Sequence, residues 1–557
     1  MKGHCTVLAC PGSGKTRVLS ARAAQLLDSE SKGRLVAVSF TRDAATELRS
    51  RILAACGQKQ ARRLGVGTFH SLALAQLRRS SSGKMPRLLS EGERLAVLRR
   101  CWKAPVGISF ETAVQAIDAV KARLVPPIFS DGALEAFALS VQQVMAAEGV
   151  MDFSDLLLNS VRGMREGGIS PLPIRWLLVD EAQDMDEVQK EWILLHGHAG
   201  IEVTLVGDDD QSLYAFRHAL GYAGLKDVTI ALSATETTLP VNYRCAPNIL
   251  EHAARLIAHN QERAPKKIEA ARKSQGEIQR FRYPDRWAET EQMAERIAGE
   301  AGRENQEWAI LGRTNLILDT AECALSNLGI SYLRSGGKSI WEYAIGSIFI
   351  GLLRSVLDDT WTGMANALSF CGIPADWLNA KSDRDSTNPI QRLAGISGQV
   401  VEEAERKTLL RVQSGLASWK EQLAKDRPAL VVHGIAGFLE DYCKSSQINL
   451  LKSMEKTIAR RPGSLAQRLA LLGSLHQRRQ QSSVHIMTLH AAKGLEFDQV
   501  WIMGCEEGNL PHADATEEDE RRLLYVGMTR ARHRLVLSSA VEEGLESRFL
   551  EESGLKG

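Results

Sequence analysis

Nothing in this chain is apolar for long enough to cross a membrane as a helix. The longest apolar run, Ala344–Leu353, falls far short of the ~20 residues that a span requires. The opening stretch, MKGHCTVLAC, carries one lysine and no apolar h-region, so no secretory signal is read there and a cytoplasmic protein without a membrane role is expected. Paired cysteines are missing as well. Nine cysteines lie scattered from Cys5 to Cys505 with no CxxC among them, which speaks for reduced thiols and against a disulfide framework or a zinc or iron–sulfur site. A charge excess of one sign is also lacking: the formal net charge is +2. Bulk electrostatics therefore decides nothing about nucleic acid, although a groove can be basic inside a neutral protein. There is no short-period repeat and no low-complexity tract; the stretch Lys381–Thr387, KSDRDST, is the best candidate for a mobile loop.

What the chain does have is length and rhythm. At 557 residues it exceeds what one hydrophobic core serves, so three or four domains are expected. Hydrophobic residues at 44% and charged residues at 24% are ordinary for a globular protein. Short apolar runs at Val7–Ala9, Leu35–Ser39, Trp176–Val179 and Val203–Val206 are each followed by turn residues and a helix-period segment, the pattern of a parallel α/β sheet. A second series starts near Ile278 and continues at Trp308–Arg313, Val484–Leu489, Gln499–Gly504 and Arg534–Ser539. Two long stretches without strand signals, one ending before Trp176 and one covering most of Asp359–Gln480, read as helical insertions in the two sheets.

The stretch VLACPGSGKT, Val7–Thr16, has the strand, loop and helix context of a phosphate-binding loop. Backbone N–H groups across Gly12, Ser13, Gly14 and Lys15 can cradle phosphates at a helix N-terminus, with Arg17 in the same first turn. Lys15 would reach the β and γ phosphates and Thr16 would ligate Mg²⁺; Ala9 stands where the usual first glycine would be. A plain Gly-rich turn is the alternative. WLLVDEAQD, Trp176–Asp184, weighs against it, because an apolar strand ending in two carboxylates is what metal-assisted cleavage of a phosphoanhydride requires. Asp180 would hold Mg²⁺ through water and Glu181 would polarise the attacking water.

The order ACPGSGKT, VSFTRDAATELRSRI, GTFHS, DEAQD, GDDDQSLYAFR, VNYR, GRTN, TLHAAKGLEF and LLYVGMTRAR resembles the motif series of the UvrD/Rep/PcrA-type superfamily 1 DNA helicases over nearly the whole chain. The resemblance implies an α/β fold of two RecA-like P-loop NTPase domains with parallel sheets, each carrying a mainly α-helical insertion. The expected division is residues 1–78 plus 172–256 for the first RecA-like domain and 79–171 for its insertion. Residues 257–358 plus 481–557 would form the second domain, with 359–480 as a shortened second insertion.

It further implies that Gln211 senses the γ phosphate and that Arg244 and Arg530 are arginine fingers. Tyr243 would stack on adenine and Glu496 would approach the ribose. The family's glutamine-bearing segment upstream of the phosphate loop is not found in these residues. Weak discrimination of ATP from GTP is therefore expected, since stacking is indifferent to the base. On the DNA side, the resemblance places Phe69, His70, Tyr214, Phe216 and His490 along a single-strand groove. Thr41 would meet a phosphate, and Arg217 would link the groove to the nucleotide. The implied ligands are ATP, Mg²⁺, single-stranded DNA and single-strand/duplex junctions, with a protein partner docking on the second insertion. The implied activity is a DNA-dependent ATPase and 3′–5′ helicase. The alternative is a DNA-sensing ATPase switch that licenses a partner such as a nuclease and unwinds little itself.

Overall fold

The computed structural model describes residues 3–30, 32–80, 85–103, 105, 107–129, 131–300, 306–378, 389–397, 402–470 and 482–555. By internal packing these form two units, Met1–Gln275 with Thr516–Thr529, and Gly276–Ala515 with Arg530–Gly557. Packing draws 257–275 and 516–529, expected with the second domain, into the first unit. The reason is local: Arg263 and Lys266 pair with aspartates of the first unit, and Asn260 donates to the Glu518 carbonyl at 2.9 Å.

The first unit is built on strands β1 (Cys5–Ala9), β2 (Leu35–Val38), β3 (Leu64–Gly67), β4 (Trp176–Val179), β5 (Glu202–Gly207) and β6 (Thr235–Leu239). They lie in the order β3-β2-β4-β5-β1-β6 and every pairing is parallel. In register, Val7 faces Val206 on one side and Thr237 on the other. Strands β1, β2 and β4 are buried throughout, which is why they read as continuous apolar runs rather than as alternating ones. The edge strand β6, TETTL, is half-exposed and polar. Because all the strands run the same way, the C-terminal ends of β1, β2, β4 and β5 open on one edge of the sheet, where ligands of such sheets bind.

Between β3 and β4 the chain makes helices Glu91–Cys101, Phe110–Lys121, Gly132–Ala147 and Phe153–Arg165. The first three close on their own apolar cluster around Leu98, Ile117, Phe137 and Val141. The fourth instead lends Leu156, Leu157, Leu158 and Val161 to the core beneath the sheet, beside Val36, Leu177 and Trp192. Asp152 caps that fourth helix, accepting from the Asp155 N–H at 3.1 Å and from Lys121 Nζ at 2.7 Å.

The second unit holds β7 (Glu277–Tyr283), β8 (Trp308–Gly312), β9 (Leu333–Ser335), β10 (Val484–Thr488), β11 (Phe497–Ile502) and β12 (Ala531–Ala540), again parallel, in the order β7-β12-β11-β8-β10-β9. Its insertion includes helices Trp361–Phe370, Glu403–Ala424, Pro428–Glu440 and Ser445–Arg460, and the helix Ala344–Asp358, expected with the second sheet, packs with them instead because its apolar face joins their core. These surround a core containing Phe349, Leu353, Leu416, Val432 and Met454. The stretch Lys381–Thr387 lies outside the described residues. Among the described residues, no helix is long and apolar enough to cross a membrane. Two parallel α/β sheets, each interrupted by helices, are the fold class expected from the sequence.

Candidate nucleotide and nucleic-acid site

Helix α1 (Lys15–Ser29) starts at the phosphate loop, and Gly14, in the left-handed region at φ 83°, is its N-cap. Gly12 also has positive φ, 61°, and a Cβ there would meet the Arg244 Cβ at 2.7 Å. Glycine is required here by conformation and by crowding. Ser13 is buried and donates from Oγ to the Cys10 carbonyl at 2.8 Å, closing the loop on itself. Lys15 and Thr16 are half-buried and Arg17 is exposed.

From β4 the chain passes into Asp180 and Glu181. Glu181 takes the left-handed conformation, φ 49°, a strained state for a residue with a Cβ and one that gathers at functional sites. Its carboxylate lies 3.9 Å from Lys15 Nζ and accepts from Gln183 Nε2 at 2.6 Å. Asp180 is buried; burial and then the Glu181 charge push its pKa up to about 7, with Lys15 acting against them. Its carboxylate and the Thr16 hydroxyl are hard oxygen donors, the set that Mg²⁺ takes.

From β5 the chain passes into Asp208, Asp209, Asp210 and Gln211, all buried. Gln183 Oε1 accepts from the Asp208 N–H at 2.9 Å, and the Gln211 amide donates to the Asp208 carboxylate. Glu181, Gln183, Asp208 and Gln211 thus form one hydrogen-bonded chain. The three aspartates are the group among the described residues whose oxygens lie close enough to hold a metal ion. Lys266 Nζ already reaches all three, at 2.5, 2.7 and 3.1 Å.

The NYR segment is laced to the phosphate loop. Asn242 Nδ2 donates to the Pro11 carbonyl at 2.7 Å, the Tyr243 N–H donates to the Gly12 carbonyl at 3.0 Å, and Asn242 Oδ1 accepts from the Arg244 N–H at 2.8 Å. The Tyr243 ring is 63% exposed and so open to stacking. Arg244 Nη1 donates to the Thr529 carbonyl at 3.2 Å.

Arg530, Glu496 and His490 belong to the second unit. Arg530 is buried and donates to the Leu495 carbonyl at 3.1 Å. Glu496 pairs with Arg532 at 2.5 Å. His490 is held at a pKa of about 4 by burial, with Arg313 and Lys493 adding to the effect.

The aromatic residues expected along the DNA divide into two groups. Phe216 is 65% exposed and meets Tyr214 edge-on, with ring centroids 5.9 Å apart; the Arg217 guanidinium lies 5.6 Å from one ring and 5.7 Å from the other. Phe69 is only 2% exposed, its ring edge-on to Phe40 and Trp192 at 5.6 and 5.7 Å. A ring so enclosed has no face for a base, and the groove role expected for Phe69 gives way to core packing. His70 is half-buried, and that burial lowers its pKa. Thr41 caps the helix Arg42–Cys56, its Oγ1 accepting from the Ala44 N–H at 3.2 Å while remaining exposed.

Sequence reasoning missed Gln183, Asn242 and Lys266. A run of three acids directly after a buried strand was the available signal, since such a run demands buried counter-charge.

The family described as UvrD/REP helicase N-terminal domain matches residues 1–222, and that described as UvrD-like helicase C-terminal domain matches 395–542. The chain is 28% identical to DNA helicase II of Haemophilus influenzae, over 99% of this chain and 85% of that one. It is 28% identical to the ATP-dependent DNA helicase Rep of Escherichia coli, over 97% and 89%. It is 26% identical to the ATP-dependent DNA helicase PcrA of Bacillus subtilis, over 99% and 84%.

Proposed function

The chain belongs to the UvrD/Rep helicase family, and from that membership and the site we propose that it is an ATP-dependent DNA helicase that moves 3′ to 5′ along a single strand. One observation carries the reading. The hydrogen-bonded chain from Glu181 through Gln183 and Asp208 to Gln211 stands beside Lys15 at one end, and at the other runs into the loop that presents Tyr214, Phe216 and Arg217. A change at the γ phosphate therefore has a short route to the exposed Phe216 ring and the half-buried Tyr214 beside it, which can stack on bases.

In this reading Lys15 and the loop N–H groups bind the triphosphate, and Glu181 takes the proton of the attacking water. Gln211 senses the γ phosphate, Tyr243 stacks on the base, and Arg244 neutralises charge in the transition state. Arg530 and Glu496 are assigned by resemblance to a second cation and to the ribose contact. Thr16 and Asp180 would hold Mg²⁺, which when bound supplies charge neutralisation on the β and γ phosphates. Stacking worth about 1–3 kcal/mol per base on Phe216 and Tyr214 is comparable with the ~1.4 kcal/mol of a duplex step, enough to compete for melted bases.

The test is hydrolysis of ATP with and without single-stranded DNA, run beside displacement of 3′-tailed and 5′-tailed duplexes. DNA-stimulated hydrolysis with displacement of the 3′-tailed substrate is expected. Stimulation without displacement would make the chain a DNA-sensing switch, and displacement from the 5′ tail would reverse the polarity.

A further inference from the structure

Three consecutive buried carboxylates in one loop repel one another unless a cation answers them. Here a single ammonium does most of that work. Lys266, with a side chain only 2% exposed, places Nζ 2.5 Å from Asp208, 2.7 Å from Asp209 and 3.1 Å from Asp210. The same nitrogen donates to the Ala9 carbonyl at 3.1 Å. Ala9 is the last residue of β1, from which the phosphate loop departs. Asp208 has two oxygens: Oδ1 takes the ammonium, and Oδ2 accepts from the Gln211 amide. One buried charge thus ties the root of the phosphate loop to the carboxylate that orients Gln211.

Arg263 provides the contrast. It grips Asp210 with two hydrogen bonds, at 2.9 and 2.8 Å, and does not reach Asp208.

We propose that Lys266 is a positioning residue for ATP hydrolysis, holding Gln211 in register with the phosphate loop through Asp208 and the Ala9 carbonyl. The proposal rests on the reading of Gln211 as the γ-phosphate sensor. Without the ammonium, Asp208 is left as a buried charge short of a partner. It then turns toward other donors, and the Gln211 amide loses its fixed acceptor.

The experiment uses the full chain with the variants Lys266→Met, Arg263→Met, Asp208→Asn and Gln211→Ala. It measures DNA-stimulated kcat and KM for ATP together with the thermal midpoint. Lys266→Met is expected to lower kcat by about tenfold or more while KM for ATP changes by no more than about threefold. Arg263→Met removes a neighbouring buried ion pair and should lower the midpoint, yet leave kcat within about threefold. Lys266→Met added to Gln211→Ala should cause no further fall in kcat, because both act through one group.

Should Lys266→Met not fold, Asp208→Asn decides the matter. It keeps the side chain's shape, relieves the excess negative charge of the cluster, and is expected to lower kcat by about tenfold. Normal kcat in Lys266→Met or in Asp208→Asn overturns the proposal, as does a full additional loss of kcat on the Gln211→Ala background. A normal rate in Gln211→Ala alone overturns instead the assignment of Gln211 as sensor.

Discussion

Lys15 Nζ stands 3.9 Å from the Glu181 carboxylate, so that the lysine at the start of α1 and the acid at the end of β4 share one small volume. In the reading proposed above, a triphosphate entering there would compete with Glu181 for the lysine, and a lysine turned to phosphate would leave the carboxylate to the attacking water.

Replacing Glu181 by Gln removes the proposed base but keeps the shape and an oxygen that can accept from Gln183. Hydrolysis should fall by about 100-fold or more while ATP remains bound, as read by single-turnover chemistry beside nucleotide binding. Lys15→Ala should lose both turnover and triphosphate affinity. Wild-type hydrolysis in Glu181→Gln would place the base elsewhere.

Phe216 and Phe69 should part company. Phe216→Ala removes an exposed ring and is expected to weaken single-strand binding by about 1–3 kcal/mol, seen as a rise in the DNA concentration that half-saturates binding. Phe69→Ala empties a buried site between Phe40 and Trp192 and is expected to cost about 3–5 kcal/mol of stability. Unchanged DNA affinity in Phe216→Ala would remove this ring from the interface.

Acid should weaken the first unit through His196. This ring is buried, with Nδ1 donating to the Trp192 carbonyl at 2.7 Å and Nε2 accepting from the Leu172 N–H at 3.1 Å. That arrangement uses the neutral imidazole completely, and burial holds the pKa at about 4, below the ordinary 6.5 of a histidine. The folded chain therefore binds fewer protons than the unfolded one between those two values. Stability falls as pH drops from about 6.5 toward 4, by up to roughly 3 kcal/mol. Thermal midpoints followed across that range should slope less in His196→Gln than in the parent; equal slopes would assign the acid sensitivity to other groups.

Divalent cation should be needed for turnover and not for folding. Chelation is expected to stop hydrolysis while leaving the thermal midpoint of the nucleotide-free chain unchanged. Asp180→Asn should raise the Mg²⁺ concentration that half-saturates hydrolysis by about tenfold or more. An unshifted Mg²⁺ dependence would separate Asp180 from the metal.

The strands at Val7–Ala9, Leu35–Val38, Trp176–Val179 and Val203–Val206 were legible because a parallel strand buried on both faces must be apolar throughout. Strand β3, LGVG, is too small and glycine-rich to register, and β6, TETTL, is a half-exposed edge whose polar residues look like a loop. The residues proposed to bind nucleotide stood out because such chemistry demands contiguous motifs. Phe69 was misplaced because its fate depends on Phe40 and on Trp192, far along the chain. Lys266 was invisible for the same reason, since beside Lys267 it looks like part of a solvated basic pair. Only the fold brings it to Asp208, and its neighbour does remain outside, paired with Glu269 at 2.6 Å.

Gly12 lies so close behind Arg244 that even a methyl group at position 12 would collide with the arginine's own Cβ. The loop proposed to cradle the phosphates and the backbone that anchors Arg244 are therefore a single mould. Any attempt to recast this pocket for a bulkier or altered polyphosphate by changing residue 12 would displace Arg244 in the same stroke. Redesign has more freedom at the open Tyr243 ring than in the loop.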